Sequence, residues 1–417
     1  MALTYKQSVL VQATIPSLRE HGETITTLFY ANMLRAHPEL HNMFNTVNQA
    51  NGRQPRALTS VILTFASNLH NISELIPRLE RMCNKHCTMG IYPEHYDIVG
   101  KYLLEAFGII LGPTWTPDVN AAWQKAYSIL ARMLIGREAQ MYREFEDWQG
   151  FRRFRIERKV AEAEGIYSFY LVPADGKRLP SFVPGQYVTL RVDVPALGHM
   201  QMRQYSLSDA PRPDYFRVTV KRDPGSTIGK GVEAVHLEPG IVSNVLCEEK
   251  QPGDFVELSH PAGDFNMDMT ASSTVPLILI SAGVGVSPLM SILGSVVERQ
   301  AVRPISWLHC SARQAPFEEA IRRIAQGRSS FSTRFFRSKV ADLDDGSSTA
   351  SGEAGLRMDL ARVDRSQLYL DHGAAEYYVC GPDAFMQEMA RYLISQGVDS
   401  QRVKYEWFTT GDLVFRK

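Results

Sequence analysis

The chain has 417 residues, a length that favours two or three domains over a single hydrophobic core, and we take three. Hydrophobic residues make up 44% of it and charged residues 22%, so each domain can bury an ordinary core. Lysine plus arginine and aspartate plus glutamate both number 45, and this balance excludes a bulk attraction to nucleic acid or to an anionic membrane. Small molecules are therefore the expected partners, without nucleic acid and without stable insertion into a membrane.

Cysteine usage and the start of the chain bear on the cellular compartment. Five scattered cysteines form no C-x-x-C pair, so neither a disulfide framework nor a zinc ribbon is indicated, and we interpret Cys83 and Cys87 as buried helical thiols. The first residues lack the build of a signal or transit peptide, and glycine, serine and proline break the longest apolar stretch, which starts at Val275. We expect a cytoplasmic protein and a monomer.

The first third of the chain has the pattern of an all-helical domain. From Leu3 to about Phe145 the apolar residues recur at helical spacing, with few alternating runs. Helix boundaries are predicted where proline or glycine interrupts this spacing. The interruptions are His37-Pro38, Asn51-Gly52, Tyr92-Pro93 and Gly112-Pro113.

Two further patterns follow along the chain. After Gly150, short β-rich runs separated by proline and glycine turns predict a small antiparallel β-barrel. From about Thr274, buried strands alternate with helical segments, which is typical of an α/β domain with a parallel sheet. We also expect a mobile surface loop from Ala341 to Gly355. The predicted domains are residues 1–147, 148–270 and 271–417.

Among the histidines of the helical third, His86 has the most informative surroundings. A single helical histidine is more often a surface or core residue than a metal ligand. Upstream of it, however, Tyr30 lies in one helical segment and Phe44 in a corner. Gln54 and Leu58 lie four residues apart, so their side chains share one helix face and can line one pocket.

In their order and spacing these residues resemble the flavohaemoglobin family. The resemblance implies a globin domain in which His86 is the proximal ligand of a haem b iron. It also implies that Tyr96 and Glu138 form a relay that makes this histidine more basic, and that Lys85 tunes the redox potential. The alternative is that Glu138 caps or solvates a helix and that Tyr96 is a core residue. On the distal side of the haem, the resemblance places Tyr30, Phe44, Gln54 and Leu58.

The barrel third carries motifs that resemble the flavin module of ferredoxin-reductase-like proteins. An Arg-x-Tyr-Ser run ends a predicted strand, and its guanidinium fits a pyrophosphate while its aromatic ring fits an isoalloxazine. A Gly-x-x-Ser segment at the start of a predicted helix offers free amides to a phosphate. The alternative is ordinary barrel packing, with a surface arginine, a packed tyrosine and a capping serine. The resemblance implies FAD contacts by Tyr187, Arg203, Gln204, Tyr205, Ser206, Gly240, Ile241, Val242 and Ser243.

The last third carries a dinucleotide-binding pattern. Gly283 and Gly285 follow a buried strand and a helix starts near Ser287-Pro288, so backbone amides can face a pyrophosphate. A second strand ends at Cys380, at the sheet edge where ligands bind in such folds, although a buried core thiol is the alternative. The resemblance implies NAD(P)H contacts by Gly283, Val284, Gly285, Val286, Ser287, Pro288, Cys380, Gly381 and Pro382.

Near its end the chain carries Glu406, Trp407 and Phe408, which the resemblance places beside the flavin. The commoner family ending has a cysteine before the phenylalanine, so Trp407 is a departure, and the extended loop over residues 223–238 is longer than in compact members. Arg313 could meet a 2'-phosphate, but an exposed arginine is the commoner case, and the choice between NADH and NADPH stays open.

The resemblance spans the chain from Tyr5 to Phe408 and implies a nitric oxide dioxygenase. In that reaction NAD(P)H reduces FAD, FAD reduces the haem iron, and haem-bound dioxygen oxidises nitric oxide to nitrate, with Tyr30 and Gln54 stabilising the bound oxygen. FAD is needed because it accepts hydride and passes on single electrons. Two alternatives stay open: an NAD(P)H-dependent haem reductase or oxidase, and a haem-based sensor or store of oxygen or nitric oxide.

Overall fold

Three units follow one another along the chain: a helical unit, an antiparallel sheet and a parallel α/β sheet. This order confirms the predicted fold class. None of the described helices is both long enough and apolar enough to cross a membrane. The computed structural model describes residues 2–44, 52–71, 75–145, 148–228, 235–269, 274–300, 302–338, 353–354 and 357–408.

The described part of the helical unit contains six α-helices. Prolines stand at the first or second position of four of them, where the missing backbone donor costs nothing. The helices are α1 (Tyr5–Ala13), α2 (Ile15–Ala36), α3 (Arg53–Ser67), α4 (Ile76–Met89), α5 (Pro93–Leu111) and α6 (Pro117–Glu144), with 3-10 turns at Pro38–Asn42 and Gly112–Thr114.

The predicted helix boundaries agree with this arrangement. The breaks at His37-Pro38, Tyr92-Pro93 and Gly112-Pro113 each fall at the end or the start of a helix. Gly52 precedes α3 as its cap residue, whereas Asn51 lies outside the described residues. Gly90 ends α4 with a φ of 74°, a left-handed conformation that glycine adopts without strain.

The second unit is an antiparallel sheet of six strands in the order β4-β3-β8-β1-β2-β5. A bridge between Leu207 and Val218 joins the two edges of this sheet, which closes it into the predicted barrel. Its interior is apolar and includes Phe154 and Leu190. The strands are β1 (Phe151–Ala163), β2 (Ile166–Pro173), β3 (Tyr187–Val194), β4 (His199–Ser206), β5 (Phe216–Lys221), β6 (Ser226–Ile228), β7 (Val235–Leu237) and β8 (Phe255–Ser259).

The third unit has a sheet in the order β12-β11-β10-β9-β13-β14, and every strand pair in it is parallel. Its central strands β9 and β10 are buried along their length except at Ala282, as expected where helices cover both faces. The strands are β9 (Leu277–Ala282), β10 (Ile305–Ser311), β11 (Phe331–Arg337), β12 (Glu353–Ala354), β13 (Glu376–Cys380) and β14 (Val403–Glu406). The barrel unit contains one short helix, α7 (Ile241–Asn244), among its described residues. The helices of the third unit are α8 (Val286–Arg299), α9 (Glu318–Gln326), α10 (Arg365–Leu368) and α11 (Asp383–Ser395).

Two loop predictions need correction. The segment 223–238 is not a plain loop, because β6 and β7 pair within it as an antiparallel ribbon, with residues 229–234 outside the described part. The loop predicted from Ala341 to Gly355 contains β12, which pairs with the end of β11, while its other residues lie outside the described part. Both errors have one cause: strands of two or three residues are too short to show an alternating pattern.

Candidate active site

An apolar cavity lies between α2, α3, α4, α5 and α6 of the helical unit. It holds about 1130 Å³ of space free of protein atoms, counted out to its opening, which is enough for a cofactor-sized ligand. Tyr30 and His86 both border it. The apolar lining includes Phe29, Phe44, Leu58, Phe65, Leu103 and Phe107.

A hydrogen-bonded trio lies at the His86 side of the cavity. The Nδ1 atom of His86 is 2.9 Å from Oε1 of Glu138 and 3.0 Å from the hydroxyl of Tyr96, and that hydroxyl donates to the same Oε1 atom over 2.6 Å. Glu138 and Tyr96 are buried. Burial and the Glu138 carboxylate raise the pKa of the Tyr96 phenol, so it stays protonated and remains a donor.

Two thiols help to hold this trio in place. Cys83 lies about one turn before His86 and Cys87 directly follows it, and their Sγ atoms donate to the backbone oxygens of Leu134 and Glu138. Both cysteines are buried and unbridged, as predicted. Because these contacts join α4 to α6, the helix that carries His86 is aligned with the helix that carries Glu138.

The opposite wall of the cavity carries the predicted distal residues. The buried Tyr30 has its ring 5.5 Å from the ring of Phe44, and its hydroxyl shares a hydrogen bond with Gln54. Burial raises the pKa of the Tyr30 phenol, so it keeps its proton at neutral pH. Leu58 lies on the same helix as Gln54 and also lines the cavity.

These features fit a haem. The cavity is apolar, as a porphyrin face requires, and His86 projects into it with Nδ1 bound to a carboxylate. Within the described part of the chain, no group hydrogen-bonds to Nε2 of His86, so this nitrogen is available to a metal. The structure thus brings together His86, Tyr96 and Glu138 on one side and Tyr30, Gln54, Phe44 and Leu58 on the other.

The predicted flavin residues lie on two adjacent barrel strands. Tyr187 pairs with Ser206, and the run from Arg203 to Tyr205 follows along β4. Lys85 of the helical unit lies near Arg203, and burial together with this second positive charge lowers the pKa of Lys85. Within the described residues no carboxylate pairs with the Lys85 ammonium. The two positive charges of Lys85 and Arg203 therefore form a site that can bind an anion such as a phosphate or a propionate.

The segment from Gly240 to Ser243 has the predicted position at the start of a helix. Gly240 caps α7, and Ile241, Val242 and Ser243 form its first turn. The Ser243 hydroxyl donates to the oxygen of Gly240 and accepts from the amide of Asp223. This hydroxyl is therefore already engaged in the turn.

The end of the described chain comes back towards the barrel. Burial and the carboxylate of Glu406 raise the pKa of Tyr187, and burial and the nearby Asp264 raise the pKa of Glu406 itself to about 8. Trp407 packs beside Tyr405 on the α/β unit, and Phe408 is 48% exposed. Of the predicted trio, Glu406 is thus brought near the predicted flavin residue Tyr187.

The glycine-rich turn meets the end of β13 at the carboxyl edge of the parallel sheet. Gly283, Val284 and Gly285 form a 3-10 turn, and α8 begins at Val286, followed by Ser287 and Pro288. A Cβ atom on Gly285 would lie 2.3 Å from the carbonyl oxygen of Cys380, which excludes any side chain. The turn therefore lies against the segment from Cys380 to Pro382. The thiol of Cys380 donates to the backbone oxygen of Glu406.

This close approach predicts the effect of one substitution. Gly285→Ala should slow flavin reduction by NAD(P)H and destabilise the α/β unit by about 1–3 kcal/mol, because the added methyl overlaps the Cys380 carbonyl. Thermal unfolding and the rate of flavin bleaching measure the two effects. Gly373→Ala in the same unit is the control, since its Cβ would meet nothing within 4 Å. Equal behaviour of the two variants would contradict the prediction.

Several polar contacts between the helical unit and the barrel were not predicted. The Arg81 guanidinium lies 3.5 Å from Asp264, and Asn84 and Thr88 of α4 bind barrel residues. One indication of these contacts was present in the sequence: Asn84 and Thr88 are four residues apart, which puts both on one helix face. Arg313 forms an exposed ion pair with Glu164, which does not decide between NADH and NADPH.

Comparison with known proteins agrees with this architecture. The globin family model matches residues 27–134 and the oxidoreductase NAD-binding domain model matches residues 279–391. A flavohaemoprotein of Halalkalibacterium halodurans is 38% identical over 418 residues, covering 97% of each chain.

Two solved structures are also similar. The flavohaemoglobin of Malassezia yamatoensis, solved with bound FAD and haem, has a TM-score of 0.81 at 27% identity and covers 98% of this chain and 100% of that one. The FAD/NAD-binding domain of nitric oxide dioxygenase from Vibrio cholerae has a TM-score of 0.51 at 30% identity, covering 61% of this chain and 97% of that one. Because the Halalkalibacterium halodurans flavohaemoprotein is 38% identical to this chain over 97% of its length, the chain belongs to the flavohaemoprotein (flavohaemoglobin) family of oxidoreductases.

Proposed function

We propose that the protein is a nitric oxide dioxygenase that takes electrons from NAD(P)H through FAD to a haem b and converts nitric oxide and dioxygen to nitrate. The observation that carries this proposal is the trio of His86, Tyr96 and Glu138 at an apolar cavity with Tyr30 on its opposite wall. When bound, the haem supplies an iron for dioxygen chemistry and the FAD divides a hydride into single electrons. Dioxygen and nitric oxide are the proposed small-molecule partners.

The proximal trio controls the histidine. Glu138 accepts a hydrogen bond from the Nδ1–H group of His86, which fixes the tautomer and leaves Nε2 as the nitrogen that would hold the iron. A buried carboxylate in this position gives the imidazole partial anionic character, which favours oxygen activation over reversible storage. Tyr96 restrains the same carboxylate oxygen, so Glu138 keeps its orientation.

On the opposite wall of the cavity, the hydroxyl of Tyr30 can donate a hydrogen bond to the negative charge that develops on bound oxygen. Its raised pKa keeps the hydroxyl protonated, and Gln54 orients it. Phe44 and Leu58 keep that wall apolar and exclude water, which strengthens the hydrogen bond that Tyr30 can make.

The remaining predicted residues would hold the two nucleotides. We assign the flavin phosphates to Arg203 and the turn from Gly240 to Ser243, and the flavin ring to Tyr187, Gln204, Tyr205, Ser206 and the end of the described chain from Glu406 to Phe408. Lys85 is assigned the tuning of the redox potential through its charge. NAD(P)H is assigned to Gly283–Pro288 and Cys380–Pro382. The proposed domains are residues 1–147, 148–270 and 271–417. The protein is proposed to be a cytoplasmic monomer.

Replacing Glu138 with its amide counterpart, glutamine, tests the proximal role. Glu138→Gln should retain haem but raise its reduction potential and lower nitric oxide turnover about tenfold, because the carboxylate no longer draws the Nδ1 proton. Redox titration and turnover measure these effects. Glu80→Gln is the matched control, since Glu80 joins α4 to α6 through Arg137 and not through His86. An unchanged potential and turnover in Glu138→Gln would show that Glu138 is structural.

The activity itself is tested with a nitric oxide electrode. The purified protein, supplied with haemin and FAD, should consume nitric oxide only when both dioxygen and NAD(P)H are present, and should form nitrate. Each turnover takes one electron, so about two nitrate ions should form for each NAD(P)H oxidised. Superoxide or reduced acceptor as the main product would identify a reductase or oxidase, and slow stoichiometric binding without NAD(P)H consumption would identify a sensor or store.

A further inference from the structure

The helix that carries His86 also contacts the predicted flavin residues directly. Asn84 lies two residues before His86, and its Oδ1 atom accepts from the backbone amide of Gly263 over 2.8 Å in the buried boundary between the units. Gly263 has a φ of +130°, and a Cβ atom there would lie 3.0 Å from the ring of Tyr187. The Gly263 backbone thus rests against the Tyr187 ring, and Asn84 holds that backbone in place.

Thr88 lies two residues after His86 and makes a second connection. Its hydroxyl donates to the backbone oxygen of Lys85 over 2.9 Å and accepts from the hydroxyl of Thr189 over 2.8 Å. The Thr88 side chain also lies near the phenol of Tyr187 and partly offsets the rise that burial causes in its pKa. Thr88 and Thr189 are almost completely buried, so water cannot replace these bonds if one partner is removed.

Thr189 extends this connection to a further predicted flavin residue. Its hydroxyl accepts from Nε2 of Gln204 over 3.2 Å, and its backbone amide donates to the hydroxyl of Ser259. One hydroxyl pair at the boundary is therefore bonded to Gln204 and lies near Tyr187, and both of these are predicted flavin contacts. Apolar side chains would join the two units without the cost of burying so many polar groups, whereas hydrogen bonds also fix orientation.

We infer that Asn84 and Thr88 are positioning residues for electron transfer: acting through Gly263, Thr189 and Tyr187, they fix the flavin contacts relative to the helix of His86 and so set the rate at which electrons pass from flavin to haem. This inference rests on the proposed function, because it requires that FAD and haem both bind. It assigns no contact with either cofactor to Asn84 or Thr88.

A single-turnover experiment without dioxygen or nitric oxide tests the inference. The protein with haem and FAD bound is mixed with NADH, and flavin bleaching and ferrous haem formation are followed separately. Thr88→Val should bleach its flavin at the parent rate but reduce its haem about tenfold more slowly, the effect of losing one buried hydrogen bond that positions the flavin contacts. Thr88→Ser should restore the parent rate. Thr219→Val is the control, since Thr219 is a buried threonine of β5 whose hydroxyl bonds Ser168 and Ser208.

A double-mutant cycle shows whether Thr88 acts through Tyr187. In a Tyr187→Phe background the phenol is gone, so Thr88→Val should slow haem reduction by much less than it does in the parent. Equal slowing in both backgrounds, or no slowing in the parent, overturns the inference.

Two further measurements keep the inference testable. If Thr88→Val fails to bind a cofactor, Asn84→Ala takes its place and must show the same selective loss of haem reduction. In protein loaded with FAD alone, quenching of flavin fluorescence should weaken in Thr88→Val and stay unchanged in Thr219→Val. Failure to bind haem or FAD in the parent protein would sink the proposed function, whereas normal cofactor reduction in every variant would sink this inference alone.

Discussion

Replacing His86 with alanine is expected to abolish haem binding while leaving the flavin in place. His86 Nε2 is the nitrogen left available in the cavity, because Nδ1 is held by Glu138 and Tyr96. Losing the only proposed metal ligand should lower haem affinity by about a hundredfold or more, beyond the loss typical for an outer partner. The ratio of haem to protein after purification, read beside the flavin content, measures the effect.

His95 provides the matched control for this variant. It also borders the cavity, but its Nδ1 atom accepts from the backbone amide of Tyr92 at the start of α5. His95→Ala should keep its haem. If His86→Ala kept its haem and His95→Ala lost it, His95 and not His86 would be the iron ligand.

Replacing Tyr30 with phenylalanine is expected to have the second largest effect. The ring would stay in place, but the hydroxyl that Gln54 orients would be lost. Oxygen affinity and nitric oxide turnover should fall about tenfold to a hundredfold, the cost of removing one donor to a charged group in an apolar site. Oxygen titration of the reduced protein and the nitric oxide electrode measure the two quantities.

The pKa of Tyr30 adds a pH test to this prediction. Burial raises that pKa above the ordinary value of 10.0, so the phenol loses its proton only above the usual range for tyrosine. Loss of the donor should therefore not limit turnover anywhere below about pH 10. Tyr102→Phe, on a residue outside the cavity lining, is the control. Equal turnover in Tyr30→Phe and Tyr102→Phe would exclude the proposed role.

The helical and barrel elements could be predicted from sequence because their signals are local. Proline and glycine mark helix ends through their own backbone restrictions, as at Pro93 and Gly90. The short strands β6, β7 and β12 escaped prediction because pairing with a neighbour, not an alternating pattern, defines them.

The candidate site shows a different limit. His86 and Glu138 are 52 residues apart, and no local pattern states that their side chains meet, so family resemblance alone suggested the pair. Asn84 and Thr88 carried no such resemblance, and their barrel partners lie about a hundred residues or more away in the chain. Contacts of this kind follow from how the units pack, which the spacing within one helix does not determine.

One optical experiment tests the central claim most directly: that a haem held by His86 receives electrons from a flavin bound in the same chain. The purified protein, supplied with haemin and FAD, is scanned without dioxygen before and after addition of NAD(P)H. We expect both haem and flavin bands at first, then bleaching of the flavin followed by the bands of ferrous haem. A protein that stays colourless, or a haem that remains ferric after its flavin is reduced, would contradict the account.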